Sequence, residues 1–281
     1  MKRNGLIKPR KRRVKTPPYT KPFAEVTAPN QLWCVDFKGH FKTLDGTTIY
    51  PLTITDAYSR FILCCVPMRS TELIEVGKAM EKVFRTYGLP ESIRSDNGTP
   101  FASTGLGGLT KLSVWWIKLG IRHERIEPGS PQQNGRHERM HRTLKKEACE
   151  RPATTFWGQN SKFKKFVKEF NEQRPHQALE NKTPSEVYVP SMKEYRAHNM
   201  EHGFPKFGLD FVFVDRHGNG EFNGKKLTFS PALADEFVDV YSNGKRKWAF
   251  AFGPILLGTL DEKTNKFTRG KSKKSVNHVS L

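Results

Sequence analysis

The chain has 281 residues and carries 48 Lys and Arg against 28 Asp and Glu, a formal charge of +20, with a sequence pI near 9.9; this balance favours a polyanionic partner bound in a salt-sensitive way. No apolar run approaches membrane-spanning length and the first residues lack the apolar stretch of a secretory signal, so a bilayer-spanning helix is excluded and a cytoplasmic protein is expected. Cys34, Cys64, Cys65 and Cys149 show no C-x-x-C spacing, and the first three sit in apolar runs, which argues for buried thiols over disulfides or zinc ligands.

Residues 1–22 carry nine Lys and Arg, Arg10, Lys11, Arg12 and Arg13 among them, and no acid. Residues 1–28 therefore read as a flexible basic arm that lies along DNA phosphates, with a merely solvated tail as the alternative. Strand-like runs follow at 32–42, 49–55 and 61–67, spaced as an antiparallel meander. Leu73, Val76, Met80, Val83 and Phe84 recur at helical spacing over 71–87, and Gly88 and Pro90 end that helix. A strand at 92–96 and a Gly/Ser/Thr-rich mobile loop at 97–108 come next. A helix near 109–119 follows, in which Trp115 and Trp116 read as core. After a strand at 121–126, Pro128-Gly129-Ser130-Pro131 leads into a polar helix over 132–150, with further helices at 160–173 and 183–189. A composition shift marks a linker at 196–206. Beyond it, β-like runs at 208–215, 226–230, 236–241, 246–252 and 255–260 make a small all-β module, and 263–281 is a basic tail.

Three acids stand in unlike settings. Asp36 lies inside the apolar run LWCVDF, where a carboxylate loses hydration at a cost of several kcal/mol unless a partner or metal replaces it. Asp96 precedes Asn97-Gly98, a dipeptide that turns a strand cheaply because both residues tolerate positive φ. Glu138 shares a helix face with Asn134 and Arg142, four residues to either side, and with Lys145 at i+7. Hard oxygen ligands on rigid elements suit Mg²⁺ or Mn²⁺, and two such ions support in-line displacement at phosphorus.

The segments NQLWCVDFKG, ITDAYSRFI, RSDNGTPFAS, PGSPQQNGRHERMHRTLKKE and RPHQALENKTPSEVY, in this order, resemble the DDE transposases of bacterial insertion sequences, relatives of retroviral integrases. The resemblance implies an α/β fold: an RNase H-like mixed five-stranded sheet flanked by helices over 29–195, followed by a small all-β SH3-like domain over 207–262. The β-β-β-α-β order of that fold sets the ends of the first and fourth strands side by side. Asp36, Asp96 and Glu138 then occupy the three catalytic and metal-ligand positions for Mg²⁺ or Mn²⁺, two ions in all, with Asp96 60 residues after Asp36 and Glu138 42 after Asp96. Asn134, Arg142 and Lys145 would meet DNA. The implied activity is metal-dependent cleavage of DNA ends and strand transfer, with element ends and target DNA as partners. The implied setting is a homo-oligomer on DNA in the bacterial, nucleoid-associated cytoplasm. Similar transposases place helix-turn-helix modules ahead of this core. Two further readings follow: a separately encoded end-recognition protein as partner, or an N-terminally truncated fragment that binds DNA without acting on it.

His137-Glu138-Arg139-Met140-His141 also spells HExxH, the zinc-protease pattern. That reading needs a third ligand such as Glu169 or Glu172, and leaves Asp36, Asp96 and the positive charge unexplained.

Overall fold

The computed structural model describes residues 26–126, 131–197, 210–244 and 246–270. Its first sheet contains β1 (Leu32–Phe37), β2 (Phe41–Lys42), β3 (Thr48–Asp56), β4 (Ile62–Met68), β5 (Ser92–Ser95) and β6 (Arg122–Arg125). β1 and β4 pair antiparallel with β3, while β5 and β6 add in parallel beyond β1. The single run expected at 32–42 breaks at 38–40. β2 resumes the antiparallel pairing with β3, displaced by one residue, so that Phe37 faces Leu52 but Phe41 faces Ile49. The sheet thus counts six strands rather than five.

Helices cover both faces, which is why strands such as LWCVDF and ILCCVPM are apolar almost throughout instead of alternating. On one face Trp33, Val35, Leu52 and Ile54 pack against Val76, Met80 and Phe84 of α1 (Leu73–Tyr87) and Trp116 of α2 (Lys111–Lys118). On the other face Ile49, Ile62 and Cys65 meet Met140 and Leu144 of α3 (Gly135–Leu144), and Phe163, Phe166 and Phe170 of α4 (Phe156–Glu172). Asn171 locks α4 to β4: its Oδ1 accepts from Ile62 N at 2.9 Å and its Nδ2 donates to Ile62 O at 3.0 Å. The polar helix expected over 132–150 is three segments. A 3₁₀ turn at Pro131–Asn134 precedes α3, and a π turn at Lys145–Cys149 follows it. The helix expected at 183–189 shortens to α5 (Pro184–Val187).

The C-terminal region is a five-stranded antiparallel sheet, ordered β13-β12-β11-β10-β7, with a separate β8-β9 hairpin. Its strands are β7 (Asp210–Phe213), β8 (Asn219–Phe222), β9 (Lys225–Thr228), β10 (Phe237–Ser242), β11 (Lys247–Phe252), β12 (Ile255–Asp261) and β13 (Lys266–Arg269). Sequence reading missed β8, whose Asn and Gly hide a strand, and placed β13 in the basic tail. The core of this sheet is not private to it. Leu106, Leu109, Val114 and Ile117 enter the same cluster as Val240, Phe250 and Leu257, and Lys118 Nζ meets Glu236 Oε1 at 2.7 Å nearby. The loop expected to be mobile at 97–108 is accordingly anchored, with Phe101 and Leu106 buried. All four cysteines are buried free thiols. Among the described residues, no helix is long and apolar enough to cross a membrane.

Candidate active site

Parallel pairing sets Val35 opposite Ser95, so Asp36 and Asp96 are the next residues on adjacent chains, whose spacing in a sheet is about 5 Å. Neither Asn97 nor Gly98 adopts the positive φ expected of them. The glycine serves the carboxylate instead. Asp96 Oδ1 accepts from Gly98 N at 3.1 Å, and a Cβ at Gly98 would lie 3.0 Å from Asp96 Oδ2. Glu138 is exposed on the first turn of α3, and the exposed Arg142 and Lys145 continue its face. Asn134, expected on that open face, is 3% exposed and starts α3 with its Oδ1 buried and without a hydrogen-bond partner among the described residues. The 3₁₀ turn before α3 rotates it inward, so it is not an open DNA contact. Arg10, Lys11, Arg12 and Arg13 lie outside the described residues.

The Asp36 side chain keeps 20% of its surface exposed. Burial first, then the charges of Asp96 and Glu138, push its carboxyl up to about 7, against a hydrogen bond from the Phe37 backbone and the charge of Lys38. Asp96 and Glu138 therefore act on Asp36 through the field they share.

The histidines flanking Glu138 turn the other way, into the interior. Thr53, paired with Asp36 across β1 and β3, donates its hydroxyl to Asp36 O at 3.0 Å. The same Oγ1 lies 2.8 Å from His137 Nε2 and 2.7 Å from His141 Nε2. A hydroxyl has one proton, so both imidazoles must supply Nε2–H to it. Thr55 Oγ1, 2.7 Å from His137 Nδ1, then donates there. Burial holds both rings neutral, His137 lowered to about 3 and His141 to about 2, the latter also by His137 and Lys38. What remains is the His141 Nδ1 lone pair, 3.9 Å from Asp36 Oδ2, too far for a hydrogen bond.

Among the described residues, Asp36, His137 and His141 are the one set of three metal-ligating side chains whose donor atoms all lie within 4.8 Å of one another. His137 spends both nitrogens on threonines, Glu138 points to solvent, and Glu169 lies 3.7 Å from Lys165 Nζ. The HExxH protease reading is therefore corrected: these histidines seat α3 on β3 rather than opening a zinc site. The Thr53, Thr55 and Lys38 contributions escaped sequence reading, though HExxH flagged both histidines under another chemistry. Taken together, Asp36 lies in the field of the Asp96 and Glu138 carboxylates and near the His141 Nδ1 lone pair, only partly offset by the Phe37 amide and Lys38. Such an excess of negative charge and lone pairs suits a divalent cation.

The sequence matches one integrase core domain family over residues 26–131 and a second integrase core domain family over residues 119–184. Residues 26–184 thus form an integrase core domain. This integrase core is 28% identical, over 160 residues, to the insertion element IS407 uncharacterized 31.7 kDa protein of Burkholderia multivorans, covering 57% of this chain and 55% of that protein. It is 32% identical over 120 residues to the Gag-Pol polyprotein of baboon endogenous virus, covering 42% of this chain and 6% of that one. The chain thus spans about half the length of the insertion-element relative and a small part of the viral one. A solved HTLV-2 integrase catalytic core domain in complex with magnesium superposes with a TM-score of 0.45 at 17% identity, over 58% of this chain and 98% of that one.

Proposed function

We propose that this integrase core is the catalytic region of an insertion-element transposase, hydrolysing a phosphodiester at an element end so that the freed 3′-hydroxyl displaces a 3′-oxygen at phosphorus in target DNA. The observation that carries the reading is the parallel β1–β5 register that sets Asp36 beside Asp96, within the field of Glu138 on α3, on a chain of +20 charge. A negative cluster inside a positive molecule is suited to a cation and a polyanion together.

Asp36, Asp96 and Glu138 would together hold the divalent ions, two in all. Bound Mg²⁺ or Mn²⁺ supplies Lewis-acid activation of the attacking oxygen and charge relief at the leaving one. Arg142 and Lys145, exposed on the Glu138 face, would hold phosphate against the site, and Thr53, which accepts from His141 and donates to the Asp36 backbone carbonyl, would hold β1 and α3 in register. No covalent protein intermediate is required, because positioning and charge neutralisation carry phosphoryl transfer. We read the mixed sheet as RNase H-like and the C-terminal sheet as an SH3-like relative. Element ends and target DNA are the proposed partners, with a homo-oligomer holding paired ends.

The test is strand transfer from pre-cut element-end DNA into a plasmid with Mg²⁺ or Mn²⁺, with DNA binding followed in parallel. Asp96→Asn should lower joining by on the order of a hundredfold or more, since metal-held charge stabilisation contributes several kcal/mol. Metal-dependent joining unchanged in Asp96→Asn would sink the assignment; binding without joining in the parent chain would favour a DNA-binding fragment.

A further inference from the structure

Two of the segments that set this sequence apart, ITDAYSRFI and RPHQALENKTPSEVY, contribute no acid to the site, yet they meet α3 at a second place. By helical spacing Arg136, Met140 and Thr143 form a stripe distinct from that of Glu138, Arg142 and Lys145. This stripe closes a cavity of about 100 Å³, whose polar lining includes Arg60, Arg136, Arg139, Arg174, His176 and Asp56. Four guanidiniums and the imidazoles of His176 and His137, the latter already held by Thr53 and Thr55, share it with one carboxylate. That carboxylate is already engaged: Asp56 Oδ2 accepts from Asn30 N at 2.8 Å, and Oδ1 accepts from the Ser59 amide and hydroxyl, both at 2.7 Å.

Two of these cations have partners, and two groups have buried donors without one among the described residues. Arg136 Nη1 reaches Ala57 O at 2.8 Å, and Arg174 pairs with Glu147 at 2.8 Å. Arg60 Nε and His176 Nε2 are buried and have no hydrogen-bond partner among the described residues. Burial and the neighbouring charges of Arg136 and Arg139 lower Arg60 to about 10. Its backbone sits at φ 67 in the β3–β4 turn, a region costly for any residue with a Cβ. An arginine held there, with a buried Nε–H and cationic neighbours, has no carboxylate paired to it among the described residues.

We propose that this cavity binds a phosphate group, with Arg60 Nε–H and the Nε2–H tautomer of His176 as inner donors and Arg136 and Arg139 at its mouth. Arginine forks match phosphate oxygens. The phosphate comes from a bound DNA backbone or from a free phosphoryl compound. The DNA source rests on the transposase reading; the site itself does not.

The experiment uses the full chain. Melting temperature is measured in inorganic phosphate and in chloride at matched ionic strength, for the parent, Arg60→Gln and the surface-exposed Arg139→Gln. A phosphate-specific rise that the variants lose supports the site, and Arg139→Gln keeps the test open if Arg60→Gln folds poorly. Duplex DNA affinity against salt then separates the sources. A slope of log K on log salt shallower by about one unit in the variants assigns a DNA phosphate, and an unchanged slope assigns a free phosphoryl ligand. A rise that is absent, or equally present in both variants, overturns the site whatever the slopes. Strand transfer by the Asp96→Asn variant is a separate measurement, so failure here leaves the catalytic reading standing.

Discussion

His123 shows burial deciding a charge state. It sits on β6 with Nε2 2.8 Å from Ser95 Oγ and its ring edge-on to Trp116 at 5.0 Å. Burial first, then Arg125, lowers it to about 3. Its ordinary value is about 6.5, so the unfolded chain takes up a proton there between pH 6.5 and 3 while the folded chain does not. The folded pKa is depressed, and for a base this means the contribution is fully present above about pH 6.5 and is lost as pH falls. Stability measured by urea unfolding should drop by roughly 1 kcal/mol per pH unit below 6 from this residue, and its imidazole NMR signals should remain those of the neutral ring at pH 5. A ring that titrates near 6.5 in the native protein would contradict this. Asp36 was legible from sequence because a carboxylate among Trp33, Cys34, Val35 and Phe37 is conspicuous. The lining of the second cavity was not, because Arg60 and Arg174 look like any surface arginine until the fold joins segments 114 positions apart.

At the scale of elements, α3 depends on one hydroxyl. Both imidazoles and the Asp36 carbonyl share Thr53 Oγ1, so the near-isosteric Thr53→Val should leave two buried N–H groups unpaired. The expected loss is roughly 1–3 kcal/mol, read from urea unfolding, together with weaker strand transfer as the Glu138 helix loses its seat; unaltered stability would show that the contacts are replaceable. The amphipathic α1 was legible almost to the residue, since its apolar positions keep strict helical spacing. Asn134 was not: a face drawn for a regular helix fails where the backbone enters through a 3₁₀ turn. Short β8 and β13 failed for a related reason, being polar strands recognised only by their partners.

At the scale of the molecule, the surprise is the shared core. A boundary near 195–206 suggested two bodies, but Val114 and Ile117 of α2 lie among the apolar residues of the C-terminal sheet, while Leu112 and Trp116 of the same helix belong to the first core. Sequence periodicity sees that α2 is apolar on many sides without saying which neighbour covers which side. A single cooperative thermal transition is therefore expected for the full chain, by calorimetry, with near-equal calorimetric and van't Hoff enthalpies. Two resolved transitions would mean that the shared cluster does not couple the sheets.

The anchored segment after Asp96 has a mechanical meaning. It is fastened at one end by β5 beside Asp36 and at the other by Leu106 within the C-terminal core, with Phe101 pinned between Phe37 and Trp116. It behaves as a short bridge between two abutments, with little slack to swing. The proposed DNA substrate, drawn toward Asp96, would therefore meet a span fixed at both ends, and α2 would link the width of that span to the seating of the C-terminal sheet.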